Sequence, residues 1–331
     1  MTEPVAIVAP SRARVLAAYA IVYVIWGSTY LAISLAIRTL PPFLMAGARF
    51  LVAGLILYAF TRARGAARPT LSHWKAATII GGFLLLIGNG AVVWGEQYVP
   101  SGITALLIAT VPLWMSLLGW LGPERRRPNV RIAVGLIVGL LGIVVLVGPG
   151  ALVGEGGTVD LVGSGVIILG ALSWAIGSLY ARTAVTPPSP GLGTAMQMVA
   201  GGLLLVALGL GTGEGHGLDP ATMSMTSVSA LLYLIIFGSL IGFSAYIWLL
   251  RVEPPTRVST YAYVNPVVAV ALGWLIAGEP LSPRTLLAAA IIVGAVVLIV
   301  SAPRAVARGE IALPPSVATA VPRRRRDTAG V

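Results

Sequence analysis

The chain has no cysteine, which excludes disulfides, thiolate nucleophiles and cysteine metal sites. Charge is scarce as well: Asp, Glu, Lys and Arg make up 10% of its 331 residues, far below the usual share in a soluble globular chain. Histidine occurs only at His73 and His216. HExxH, GxSxG and the phosphate-cradling GxxxxGK run followed by Ser or Thr are all absent, so metalloprotease, hydrolase and nucleotide-cleaving chemistry lack their motifs. An integral membrane enzyme would need a nucleophile, base or metal cluster near a membrane face and is only a remote alternative. No catalytic residue, metal or cofactor is expected.

What the chain does have is apolar length. Apolar residues make up 57% of it, and ten stretches of helix-spanning length divide it. Runs such as Val15–Ile37, Ala76–Gly95, Leu161–Ala181 and Val258–Gly278 hold no Lys, Arg, Asp or Glu. Each meets the need for about 20 apolar residues to cross a hydrocarbon core roughly 30 Å thick. A soluble domain could not bury so many helices without a polar face. Spans are predicted at 16–37, 43–61, 76–95, 101–121, 131–148, 162–181, 191–211, 228–250, 257–277 and 285–301. Prolines punctuate the gaps, as at Pro41-Pro42, Pro128, Pro187-Pro188 and Pro254-Pro255. Val15–Ile37 is longer than a signal-peptide core and lacks a small-residue cleavage site, so it reads as a span.

The basic residues set the orientation. Nineteen lie on one side of the predicted spans, from Arg12 to the run Arg323–Arg326, against two, Arg38 and Arg284, on the other. Positive residues stay cytoplasmic, which places both termini inside. The net charge of +11 is therefore a topology signal spread over loops, and no nucleic-acid partner is expected. No carboxylate falls near mid-membrane in any span, so neither a deep proton relay nor a counter-charge for organic cations is visible. The segment 303–331, Pro-, Ala- and Arg-rich without periodicity, reads as a disordered basic cytoplasmic tail.

The two halves echo each other. Trp26, Arg49 and Gly54 recur 148 residues later as Trp174, Gln197 and Gly202, and Trp94, Pro100, Pro112, Gly119 and Trp120 recur 154 later as Trp248, Pro254, Pro266, Gly273 and Trp274. With five spans in each unit, the second must enter the membrane upside down relative to the first. The expected architecture is an all-α integral membrane protein of ten transmembrane helices in two inverted five-helix repeats. A cytoplasmic segment 1–14 precedes repeat 15–148, an outer loop 149–161 and repeat 162–302. Inverted repeats let one arrangement open to either side by exchanging the halves' conformations, the logic of alternating access.

Four motifs carry a family resemblance: IWGSTYLAI from Ile25, AGARFLVAG from Ala46, GNGAVVWGEQYVPSG from Gly88 and YAYVNPVVAVALGWLIAGEPL from Tyr261. In order and spacing they resemble the EamA family of the drug/metabolite transporter superfamily, over residues 15–302. The resemblance implies ten helices and a central cavity lined largely by helices three, four, eight and nine, with parts of one and six. It also implies export of amino acids or related neutral or zwitterionic metabolites across the bacterial inner membrane. The alternative within the same fold is a multidrug or toxic-compound efflux transporter. The first helix lacks the carboxylate of the small multidrug exporters, which argues for neutral or zwitterionic solutes. Expected partners are a small solute and the lipid bilayer, with a homodimer left open.

Candidate site residues follow from depth and polarity. Arg49 is the only full charge well inside a span, roughly 9 Å in at about 1.5 Å per residue. It reads either as half of an ion pair, with Glu96 or Glu279, or as a clamp for a substrate carboxylate. Pro112 and Pro266 fall mid-span, where they would kink the helix and free carbonyls near Ile108 and Ala262. Thr110 beside the first, and Tyr261, Tyr263 and Asn265 beside the second, are candidate lining groups. Asn89 lies between two glycines and either lines the cavity or bridges helices. Trp26, Trp94 and Trp174 are candidate aromatic walls, with packing or interface anchoring as the plainer reading. Glu96 and Glu279 are mouth residues or proton carriers.

Overall fold

The computed structural model describes residues 11–99, 104, 107–122, 129–147, 160–217, 219–268 and 283–302. The start of the N-terminal segment, most of the 149–161 loop, Glu279 and the tail from 303 lie outside the described residues.

Every long element among the described residues is a helix. Local signals set where each begins. Ser11 accepts from Arg14 N–H at 3.4 Å and starts α1, Arg12–Ala36. Pro42 opens α2, Pro42–Ala63, at the position where a missing N–H costs nothing. Thr70 and His73 cap each other in a reciprocal box at the head of α3, Leu71–Gly95. Then follow α4, Val111–Leu121, and α5, Val130–Val147. Asp160, Ser189 and Ser224 cap α6 (Leu161–Thr183), α7 (Pro190–Gly211) and α8 (Met225–Val252). Next, α9 begins as the turn Pro255–Val258 and resumes over 261–268, and α10 is Pro283–Ser301. Against the ten expected crossings, the described residues contain six helices long and apolar enough to span, α1–α3 and α6–α8, plus three shorter apolar ones. Leu55, Ile56, Phe60, Leu203 and Val297 each expose half or more of their surface, an outer face suited to lipid.

Helix pairs pack antiparallel. The most extensive contact joins α2 to α7, where Gly54 meets Val199 and Gly202 meets Leu51. Residues 54 and 202, and likewise 51 and 199, are 148 apart, so this contact is reciprocal. Further pairs join α5 to α10, α1 to α8 and α3 to α6. Inside α3 and α8 the helix widens into π turns over Gly82–Asn89 and Leu234–Phe243. Residues 89 and 243, which end these turns, are 154 apart, and π segments often mark functional positions.

Glu214 ties the two halves outside the spans. The carboxylate of Glu214, beyond the end of α7, accepts from Phe43 N–H at 3.1 Å and Leu44 N–H at 2.9 Å, capping α2 from a distance. Glu214→Ala should cost about 1–2 kcal/mol. A lowered unfolding midpoint in detergent checks this, and an unchanged midpoint would show that water replaces the cap.

Pro112 departs from its expected role. Residues 109–110 form a turn in which Thr110 N–H reaches back to Leu107 O at 3.2 Å. Pro112 then sits in the first turn of α4, so the chain breaks and restarts there instead of kinking. Pro266 does lie within helix, in the 261–268 part of α9.

Candidate functional site

A cavity of about 630 Å³, counting solvent at its mouth, lies among α1, α2, α3, α6, α8, α9 and the start of α4. Arg49, Asn89, Tyr261, Asn265, Trp26 and Trp174 all line it. It occupies the end of the bundle where α1 finishes and α2 begins. The opposite end is closed by aromatic packing. Trp26 and Trp174, counterparts in the two halves, meet edge to face at 5.6 Å between ring centroids, and Trp26 lies 4.9 Å from both Tyr246 and Tyr261. The Tyr246 hydroxyl accepts from Trp174 Nε1 at 2.8 Å and shares a 2.6 Å bond with Ser178. One layer further, Tyr23 and Thr260 hydroxyls share a bond of 2.6 Å.

Arg49 is held in a built socket. Its Nε donates to Ser239 Oγ at 2.8 Å, and its guanidinium carbon sits 4.6 Å from the Phe50 ring centroid. Gly238 supplies the room: a Cβ there would come within 2.7 Å of Arg49 Nη2. One turn on, Gly242 does the same for the Trp26 indole, whose Nε1 donates to Gly238 O at 3.2 Å. The Gly238/Gly242 pair therefore seats cavity side chains, beyond the close helix packing that small residues usually provide. Arg49 is 4% exposed, and its Nη1 has no hydrogen-bond partner. The ion pair with Glu96 is not formed, and Glu279 lies outside the described residues.

Among the described cavity residues, two more buried atoms share that condition. Asn89 Oδ1, at the end of the π turn in α3, and Asn265 Oδ1, in α9, are without hydrogen-bond partners. The Asn265 side chain also reaches Tyr30, a cavity residue near Glu96. Glu96 follows the last helical residue of α3, and both its carboxylate oxygens are buried and unpartnered.

Three expected lining residues lie elsewhere. Trp94 packs on Tyr98 at 4.8 Å between centroids, outside the cavity. Thr110 spends its hydroxyl on Leu107 O at 2.6 Å in the turn before α4. Tyr263 is buried against α5, donating to Leu136 O at 3.1 Å. Pro112 and Pro266 do not line the cavity, although their neighbours Val111 and Asn265 do. Sequence reasoning missed Phe50, Phe243 and Ser239. The first two carry no polar signal, and Ser239 is visible only as a hydroxyl beside Gly238.

A many-helix bundle with an apolar outer belt and a largely apolar cavity holding a few buried polar groups is the form of a membrane transporter. The chain belongs to the EamA-like transporter family, which matches residues 14–148 and again 161–301. It is 41% identical over 279 residues to the uncharacterised inner membrane transporter YedA of Escherichia coli K12, covering 84% of this chain and 87% of that protein. It is 28% identical over 283 residues to a WAT1-related chloroplastic protein of Arabidopsis thaliana, covering 83% and 66%. The uncharacterised transporter YoaV of Bacillus subtilis is 24% identical over 275 residues, covering 82% and 91%. A solved crystal structure with 20% identity superposes with a TM-score of 0.69 over 87% of this chain and 98% of its own, a likeness of fold.

Proposed function

We propose that the protein is a secondary transporter that exports small neutral or zwitterionic metabolites of the amino-acid class across the bacterial inner membrane by alternating access. The observation that carries this reading is Arg49. It is a buried guanidinium with one nitrogen unpartnered, on the wall of a cavity built from both halves of the chain. Such a charge is too costly to keep without a partner, cavity or water path. The reciprocal antiparallel contact of α2 with α7 supports two inverted repeats of five spans. The excess of basic residues beside the termini supports a cytoplasmic placement of both, with the cavity then toward the outer face and its closed end toward the cytoplasm. Reconstitution in liposomes with labelled neutral amino acids, with and without a pH gradient, tests the reading. Movement of drugs or dyes without amino acids would replace it with multidrug efflux.

Glu96 is the group we assign to proton coupling. Burial without a partner pushes its carboxyl above the usual carboxylate range, so it stays protonated near neutrality and releases its proton as pH rises. Glu96→Gln, fixed in the neutral form, should keep amino-acid exchange but lose accumulation driven by a pH gradient. The alkaline change in wild-type rate should flatten in the variant. Gradient-driven accumulation at the wild-type level in Glu96→Gln would remove this role.

A further inference from the structure

Resting on the transporter reading, we infer that the cavity selects a zwitterion, with Arg49 Nη1 taking the carboxylate and the side-chain oxygens of Asn89 and Asn265 taking the ammonium group. All three atoms are buried without hydrogen-bond partners, and all three residues line the one cavity. Arg49 and Asn265 are 4% and 1% exposed, so bulk water does not satisfy them. Unmet polar atoms at this depth are unfavourable, and an incoming solute can supply what they lack.

The chemistry of the set narrows the solute. One cationic donor faces two amide oxygens, which only accept. A phosphate or dicarboxylate would gain Arg49 but meet two lone-pair-bearing oxygens and no second cation. A simple amine would gain the oxygens but face Arg49 with like charge. An α-amino acid satisfies both signs. Trp26 and Trp174 add ring faces for an ammonium group. Ile33, Phe50, Val92 and Phe243 make much of the remaining wall apolar, which suits an uncharged, apolar side chain such as that of leucine.

The test is competition against labelled L-leucine bound to the purified full-length protein. L-leucinamide lacks the carboxylate and 4-methylpentanoate lacks the ammonium group. Each should compete roughly 10- to 100-fold more weakly than leucine, as loss of a charged hydrogen bond predicts. Arg49→Gln should collapse the leucine-to-leucinamide ratio and leave the leucine-to-4-methylpentanoate ratio in place. Asn265→Leu should do the reverse, with Asn89→Leu as a second variant of the same arm. Leucinamide or 4-methylpentanoate binding as well as leucine, absence of leucine binding, or both variants lowering both ratios alike would overturn the inference. Liposomes loaded with a cell metabolite extract separate this from the underlying reading. Solute efflux without leucine binding sinks the zwitterion site alone, and no efflux of any solute sinks the transporter.

Discussion

Arg49→Ala should reduce solute movement in liposomes by roughly 10- to 100-fold, because a hydrogen bond to a charged group is worth about 1.5–3 kcal/mol. The three guanidinium nitrogens have separate tasks in the socket. Nε holds Ser239, Nη2 lies against Gly238, and Nη1 has no partner, the position proposed above for the solute. Alanine removes all three at once, yet the fold should survive, since Ser239 can turn its hydroxyl to a carbonyl of its own helix. Arg49→Lys should rescue little. A single ammonium cannot hold Ser239 and face the solute together, and the planar fork is lost. Arg49→Gln copies the counterpart residue of the other half, Gln197, and should keep membrane abundance while lacking the charge. Wild-type transport by Arg49→Ala at equal abundance would defeat the assignment.

The same socket explains what could and could not be read from the sequence. Depth was legible. Arg49, Asn89 and Asn265 each stand out as polar residues inside apolar runs, and the family motifs place them on particular helices. Azimuth was not, because these spans are apolar on nearly every side and give no polar stripe to orient them. Tyr261 and Asn265, four apart, share a helix face, whereas Tyr263 is turned about 200° from Tyr261 at 3.6 residues per turn. Helical arithmetic therefore separates Tyr263 from Tyr261 and Asn265, but does not say which of the two faces meets the cavity. Trp94 gave no such clue, since indoles serve interfaces and cavities alike. The expected α6, α7 and α8 spans lay within three residues of those observed, yet nothing in their composition marks the π turns of α3 and α8. Side-chain propensities distinguish helix from strand, and they do not register an extra residue per turn. The break before Pro112 is half visible in the sequence: the proline predicts a disruption, and its role as the start of a new helix depends on the turn that precedes it.

The fold itself should fail most sharply at Gly202. A Cβ placed there would lie 2.6 Å from Leu51 N and 3.0 Å from Gly47 O, both backbone atoms of α2. Its neighbour Gly201 faces the other way, where a Cβ would meet Leu85 Cβ at 2.8 Å and Gly81 O at 3.0 Å in α3. Helix α7 is thus pressed between two backbones by consecutive glycines. Flexible side chains can move aside, whereas a helix backbone shifts only as a unit, so the usual cost of overpacking, about 1–3 kcal/mol, is a lower bound here. In lipid no hydrophobic force between helices compensates a poorer fit, since association depends on close packing. Gly202→Leu should therefore yield little folded protein after extraction, and Gly202→Ala a lowered unfolding midpoint. Gly211, on the same helix, has nothing within 4 Å of its Cβ position, so Gly211→Leu should match the wild type. Equal midpoints for Gly202→Leu and Gly211→Leu would mean that α2 and α7 do not meet at the distance described. The reciprocal contact of the two halves would then lose its physical basis.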